Sequence, residues 1–175
     1  MKKQIVIIGG GASALLLASE LSSEKYQVTV YEKNTAPGRK FLVAGDGGFN
    51  LTHSETPTAF LLRYTPYKFL EKCFLDFNNW DTIKWLQANG IGTFTGSSGR
   101  IFPTKGIKPI DVLNVFLEKI KHNTFSIQSK YEWQGFDANN DLIFANAGQI
   151  RTIKCDYANF CLGGASWPVT GGTGD

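Results

Sequence analysis

The chain has 175 residues, of which 42% are hydrophobic and 13% aromatic, so it has enough apolar material for the core of a compact domain. Its formal net charge is +3, from 18 Lys and Arg against 15 Asp and Glu, and this small, dispersed excess does not indicate a nucleic-acid partner. No apolar stretch reaches the roughly 18 residues of a membrane span, and the start of the chain does not resemble a signal peptide, so we expect a cytoplasmic protein without a membrane partner.

The first part of the chain predicts a strand, a glycine-rich turn, a helix and a second strand. β-Branched residues dominate residues 4–8, three glycines follow, and Ala and Leu fill residues 12–21. Residues 27–31 again favour a strand, which Glu32 closes. A helical crossover between two such strands predicts a parallel pair.

The middle of the chain predicts loops and helices. Residues 34–56 show little periodicity and carry many glycines, which indicates a long functional loop. Helical spacing and end signals predict helices over residues 66–77, 79–89 and 109–122. Between them, residues 92–103 alternate small and aromatic residues, as expected of a hairpin.

The last part of the chain changes to a period of two, which predicts short strands. These cover residues 125–128, 131–136, 142–145 and 150–154, and the apolar run over residues 157–162 predicts a final strand. The order of elements predicts an α/β fold: a Rossmann-like domain with a parallel sheet, flanking helices and an antiparallel meander. The glycine-rich residues 166–175 follow without a docked element, which favours a fragment of a longer protein.

A dinucleotide-binding fingerprint, G-x-G-x-x-G/A, follows the first predicted strand. Gly9 makes the tight turn, Gly11 lets the backbone approach a pyrophosphate, and Ala14 lets helix and strand pack closely. The phosphates would lie at the helix N-terminus, near Ala12 and Ser13. The strand before this motif and the helix after it favour dinucleotide binding over a purely structural turn.

An acidic residue stands where this motif needs one. Glu32 follows Gly11 by 21 residues, and its carboxylate can accept both hydroxyls of an adenosine ribose. The same carboxylate would repel a 2′-phosphate, which disfavours NADP. A nicotinamide-binding half usually adds a third parallel strand soon after the second, whereas here more than ninety residues intervene before residue 125. This spacing departs from that of a nicotinamide-binding half, but an NAD(P)-binding dehydrogenase domain stays open because it would use the same glycines.

Three segments of the sequence resemble one flavoprotein family. They are EKNTAPGRKFLVAGDGGFNLTHS at residues 32–54, GSSGRIFP at residues 96–103 and LGGASWP at residues 162–168. The chain is similar over its whole length to the N-terminal part of the BaiN/YhiN-type flavoproteins. These are a branch of the glutathione-reductase-like flavoproteins, also labelled NAD(P)/FAD-dependent or aminoacetone-oxidase-like oxidoreductases.

The resemblance implies an extended FAD with its pyrophosphate at Gly9 and Gly11 and its ribose at Glu32. Beyond the fingerprint, the cofactor-binding residues that it implies are Lys33, Gly38, Arg39, Lys40, Asn50, Thr52, Gly163 and Gly164. Among these, Asn50 and Thr52 would lie near the flavin, and the two C-terminal glycines would form a second contact with the dinucleotide. Residues 45–48 are open to two interpretations, a flavin contact or a flexible loop tip.

The resemblance further implies FAD-dependent oxidation or reduction of an unidentified small molecule, with hydride passing through the flavin. NAD(P)H is a candidate electron donor, and no catalytic side chain is assigned. Family members continue into a substrate domain and a returning segment. Residues 1–175 would therefore be an incomplete FAD/NAD(P)-binding domain whose partner is the missing C-terminal part, and the isolated chain is expected to be inactive. A non-catalytic FAD-binding fragment is the alternative.

Histidine and cysteine residues add little further chemistry. His53 is a candidate acid or base near the flavin, but a histidine held by structural hydrogen bonds is the favoured interpretation. The three cysteines lack C-x-x-C spacing and the two histidines are far apart, so neither a disulfide framework nor a metal site is predicted. The cysteines are expected to be buried thiols.

Overall fold

The computed structural model describes residues 1–43, 49–123 and 125–164, which fall into two compact units. The first unit contains residues 1–43 and the described chain from residue 113 onward, and the second contains residues 49–112. The described strands are β1 Lys3–Ile8, β2 Tyr26–Glu32, β3 Thr52–His53, β4 Thr93–Thr95, β5 Arg100–Pro103, β6 Ser126–Ser129, β7 Glu132–Phe136, β8 Leu142–Asn146, β9 Gln149–Ile153 and β10 Tyr157–Phe160. The described helices are α1 Ala12–Glu20, α2 Arg39–Val43, α3 Pro57–Leu61, α4 Tyr67–Asp76, α5 Asn79–Ala88 and α6 Pro109–His122.

A parallel four-stranded sheet forms the centre of the first unit, with its strands in the order β10-β1-β2-β6. The last four residues of β1 are all buried, so this strand is covered on both faces. Helix α1 makes the crossover from β1 to β2, and its Leu15 and Ala18 are fully buried. The short apolar run of β1 is therefore the middle of the core.

A second, antiparallel sheet covers the other face of the parallel sheet. Its strands lie in the order β7-β8-β9, and Phe144 of β8 is fully buried in a cluster with Val6 and Ile8. The ring of Phe144 stacks on Tyr31 with centroids 4.4 Å apart. The Asp137 carboxylate closes the β7–β8 turn by accepting two backbone N–H bonds.

The second unit combines a three-stranded antiparallel sheet, β3-β5-β4, with helices α3, α4 and α5. Asn78 begins α5 in a reciprocal capping box with Asp81, which explains why this helix starts where the sequence predicts. In the described part of the chain, no helix has both the length and the apolar character needed to cross a bilayer.

The predicted α/β class, parallel sheet and antiparallel meander are confirmed. The prediction of a continuous loop over residues 34–56 is wrong, because α2 and β3 lie within it. Strand β3 is only two residues long and exists because it pairs with β5, a contact that local periodicity does not reveal. Burial of all three thiols is also wrong, since Cys73 is exposed and Cys155 and Cys161 are half-buried.

Candidate functional site

A cavity of about 900 Å³ opens in the first unit at the carboxyl ends of β1, β2 and β10. Ligands of open α/β sheets bind at this edge, and cavities of about 300–1,000 Å³ suit small molecules and cofactors. The wall also includes residues 131–135, which begin the meander. Sequence analysis did not assign these residues to a site, because only the fold brings the meander to the end of β2.

The first two of the three consecutive glycines, Gly9 and Gly10, are held tightly by their surroundings. Gly9 has a φ of 95°, and a Cβ placed on it would lie 2.4 Å from the carbonyl oxygen of Cys161. Gly10 donates its N–H to Oε2 of Glu32 at 2.7 Å, and its carbonyl accepts the N–H of Gly38 at 2.8 Å. These two glycines fix the shape of the turn.

The third glycine faces open space instead. Gly11 precedes α1 in an extended conformation, and a Cβ placed on it would meet no atom within 4 Å. No side chain caps this helix and its first turn has no acidic residue, so the first N–H groups carry their positive partial charge uncompensated. Ala12 and Ser13 line the cavity with Gly11. Ala14 is fully buried, in agreement with its predicted packing role.

Glu32 lies in the cavity wall with 7% of its surface exposed, and its carboxylate is already hydrogen-bonded. Besides the bond from Gly10, its Oε1 accepts the backbone N–H of Asn34 at 2.7 Å and the Asn34 Nδ2 at 2.6 Å. Asn34 is a site residue that sequence analysis missed. The only sequence signal for it is a short amide side chain two residues after the acid.

Basic residues predicted to contact the cofactor surround the same cavity. Lys33, Arg39 and Lys40 all line it. Arg39 donates from Nη1 to Oδ1 of Asn34 at 3.1 Å, and Lys40 donates from Nζ to the carbonyl of Gly164 at 2.9 Å. The structure therefore brings Lys40, which follows β2, to the segment that follows β10.

Two of the predicted glycines have conformational reasons for their identity. Gly38 has a φ of 73°, and a Cβ there would lie 2.7 Å from Leu113 Cδ1. Gly163 has a φ of 76° and lines the cavity. Gly164 contacts Lys40 through its carbonyl oxygen. Residues 45–48, which the sequence leaves open between a flavin contact and a flexible loop tip, lie outside the described residues.

Asn50, Thr52 and His53 belong to the second unit, so their placement near a flavin stays a prediction. The His53 ring is fully engaged: Nδ1 accepts the N–H of Glu55 at 3.2 Å, and Nε2 lies 3.1 Å from the Ser98 carbonyl oxygen. This arrangement supports the structural interpretation of His53. A hydrogen bond from Arg63 lowers the pKa of the neighbouring Glu55. Within the described ranges, no three His, Cys, Asp or Glu side chains are grouped as a metal site.

Comparison with protein families and curated proteins adds independent information. The sequence model of the family described as HI0933-like protein Rossmann domain matches residues 3–175. Ribosomal RNA dihydrouridine synthase of Haemophilus influenzae is 32% identical over 105 residues, which are 60% of this chain and 26% of that protein. The Escherichia coli protein of the same name is 26% identical over 167 residues, which are 95% of this chain and 40% of that protein. The chain thus spans less than half the length of these relatives.

Solved structures with little sequence identity share the fold. The 3-ketosteroid-delta4-(5alpha)-dehydrogenase of Rhodococcus jostii RHA1 has a TM-score of 0.67 at 12% identity, over 93% of this chain and 46% of that chain. Thermovibrio ammonificans THI4 has a TM-score of 0.59 at 12% identity, over 90% of this chain and 56% of that chain. At these identities the likeness concerns the fold alone.

Proposed function

The chain belongs to the HI0933-like family, whose Rossmann domain it contains, and from that premise we propose that it binds FAD as part of a flavin-dependent oxidoreductase. The family match agrees with the sequence resemblance to BaiN/YhiN-type flavoproteins. The observation that carries the proposal is the contrast within the glycine turn. A Cβ on Gly9 would clash with backbone, whereas Gly11 faces the open cavity beside the uncapped start of α1.

The residues of the cavity fit a dinucleotide. The N–H groups of Ala12 and Ser13, at the start of α1, would hold a pyrophosphate that needs the space beside Gly11. Arg39 and Lys40 add positive charge along the same wall. Glu32 offers a buried carboxylate to a ribose hydroxyl, and this negative charge disfavours NADP as the ligand of the cavity. NAD(P)H is proposed only as the electron donor. The lining of the cavity does not indicate where it would bind.

The names of the curated relatives suggest a substrate. We infer that the longer protein to which this domain corresponds reduces a uracil base of ribosomal RNA, in the cytoplasm. Reduction of uracil to dihydrouracil adds a hydride and a proton across the C5–C6 double bond. Reduced flavin would supply the hydride and be oxidised to FAD, which the proposed donor NAD(P)H would reduce again. The modest net charge of +3 favours the alternative, a small-molecule substrate without a nucleic-acid partner. In either case turnover belongs to the longer protein.

The experiment that tests the cofactor is a visible spectrum of the purified intact protein, followed by FAD titration of any cofactor-free fraction. Flavin absorption with about one FAD per chain is expected, and a folded protein that neither carries nor binds flavin would overturn the proposal. The substrate is tested by mass spectrometry of ribosomal RNA nucleosides. Cells that lack the protein should lose dihydrouridine, and the intact wild type should restore it. Unchanged dihydrouridine would favour the small-molecule alternative.

A further inference from the structure

Asn34 connects two charged residues of the cavity wall. Its backbone N–H and its Nδ2 both donate to Oε1 of Glu32, at 2.7 and 2.6 Å, and its Oδ1 accepts Nη1 of Arg39 at 3.1 Å. Its carbonyl accepts the N–H of Lys130 at 3.0 Å, which ties it to the entry of the meander. Asn34 thus uses its backbone and its side chain together to join β2, α2 and the segment that leads into β7.

These bonds limit what Glu32 can still accept. A carboxylate has about four acceptor positions, two on each oxygen. Oε1 receives two bonds from Asn34, and Oε2 receives one from the Gly10 N–H. One position on Oε2 is therefore left for a ligand, whereas the sequence suggests that the carboxylate could accept both ribose hydroxyls.

We propose that Asn34 is a positioning residue that occupies Oε1 of Glu32, leaves Oε2 to accept a single ribose hydroxyl, and holds Arg39 against the cavity wall. This inference rests on the proposed binding of FAD. In this arrangement, Glu32 recognises the ribose through one hydroxyl rather than two. Asn34 itself would not need to touch the cofactor for this role.

The charges around Asn34 make the role testable by pH. Glu32 on β2 and Arg39 on α2 contact its side chain, and Lys33, Lys130 and Glu132 line a shallow depression with it. Asn34→Asp places a second carboxylate against Glu32, and two adjacent carboxylates repel each other until they share a proton. Once the introduced carboxyl is protonated, it can donate a hydrogen bond to Glu32, as the amide of the wild type does.

The main experiment titrates the intact protein with FAD at pH 8 and pH 5.5, with the wild type alongside Asn34→Ala, Asn34→Asp and Asn146→Ala. Asn146 is the matched control, since its Nδ2 donates to the Lys130 carbonyl and its bond is separate from those on Glu32. Asn34→Ala should bind FAD about tenfold more weakly at both pH values. Asn34→Asp should be at least as weak at pH 8 and return to within about threefold of the wild type at pH 5.5. Asn146→Ala should match the wild type.

Acidification would not reverse a general loss of stability. Recovery of FAD affinity in Asn34→Asp at pH 5.5 therefore distinguishes a positioning role from such a loss. Wild-type affinity in Asn34→Ala, or a pH response of Asn34→Asp equal to that of the wild type, would overturn the inference while leaving the proposed FAD binding intact. Failure of the wild type to bind FAD would overturn both.

A second measurement tests the single hydroxyl. ADP, 2′-deoxy-ADP and 3′-deoxy-ADP are compared as competitors of FAD binding to the wild type. One deoxy analogue should compete as well as ADP, and the other about tenfold less well. Any other pattern would contradict the assignment of a single acceptor position on Glu32.

Discussion

Each unit contains a hydrogen-bonded network around one acidic residue, Glu32 in the first unit and Glu55 in the second. The two networks differ in where their remaining acceptor atoms lie. In the first unit, Glu32 borders the cavity, and three of the about four acceptor positions of its carboxylate are occupied by described hydrogen bonds. In the second unit, Asn79 is 2% exposed and donates from Nδ2 to the carbonyls of both His53 and Glu55 at 2.8 Å. The acceptors left over there, Glu55 Oε2 and Asn79 Oδ1, are buried away from solvent. We therefore expect the first network to serve the proposed ligand and the second to stabilise its unit.

The comparison predicts different effects for substitutions in the two networks. Substitutions in the first network should change FAD affinity more than the free energy of unfolding. Substitutions in the second network should lower the free energy of unfolding and leave the FAD affinity of the folded protein unchanged.

The largest expected effect is that of Gly11→Val. The added side chain would occupy the space that the cavity offers to a pyrophosphate, so FAD binding should fall by more than about a hundredfold while the melting temperature of the cofactor-free protein changes little. Flavin content per folded protein measures the first quantity and thermal unfolding the second. Gly9→Ala is the contrasting control, because its Cβ clash with Cys161 should destabilise the fold itself. Full FAD occupancy in Gly11→Val would contradict the assignment of this turn to the phosphates.

Glu32→Ala should weaken FAD by about 1.5–3 kcal/mol, because a ribose hydroxyl loses a charged acceptor. The same change leaves the N–H groups of Gly10 and Asn34 without their acceptor, so some loss of stability should accompany it. Glu32→Gln should weaken FAD binding less than Glu32→Ala does. FAD titration at equal concentrations of folded protein measures both effects. If neither variant alters FAD affinity, the first network is structural like the second.

Asn79→Ala tests the other side of the comparison. Two half-buried carbonyls would lose their donor, which should lower the free energy of unfolding by about 1–3 kcal/mol. Denaturant unfolding measures this change, with Asn146→Ala as a control at an exposed amide. FAD affinity of the folded Asn79→Ala protein should equal that of the wild type. A large loss of affinity would mean that the second network serves the ligand as well.

The smallest expected effect concerns Asp156, which joins β10 to β1. A hydrogen bond from the Lys3 side chain, followed by one from the Gln4 N–H, lowers the pKa of this carboxyl. Because this pKa is lower in the folded state than the value of about 4 in the unfolded state, the ionised carboxylate stabilises the fold fully at a pH above the unfolded-state pKa. This contribution is lost as the pH falls through the folded-state pKa. Asp156→Asn should therefore melt slightly below the wild type at pH 7, and the gap should close toward pH 3. A difference in melting temperature that widens on acidification would contradict the predicted direction of the pH dependence.

Local signals predicted much of this fold. Helix α6 begins and ends where the amphipathic spacing places it, and the glycine turn follows from its motif and the flanking elements. Asn34 was not predictable, because its role depends on the direction of one side chain between β2 and α2. The contribution of β7 to the cavity was also hidden, since it depends on how the meander packs over the parallel sheet.

The two hydrogen bonds that hold Gly10 also bear on how fast a ligand can bind. Because its N–H and its carbonyl are both paired within the chain, the conformational entropy of ordering the turn is already lost on folding. Association then needs no slow closure of the turn, so variants around it should differ mainly in dissociation rate. In hydrogen exchange, the Gly10 amide should be protected in the free protein, whereas the amides of Ala12 and Ser13 should gain protection only when the cavity is filled.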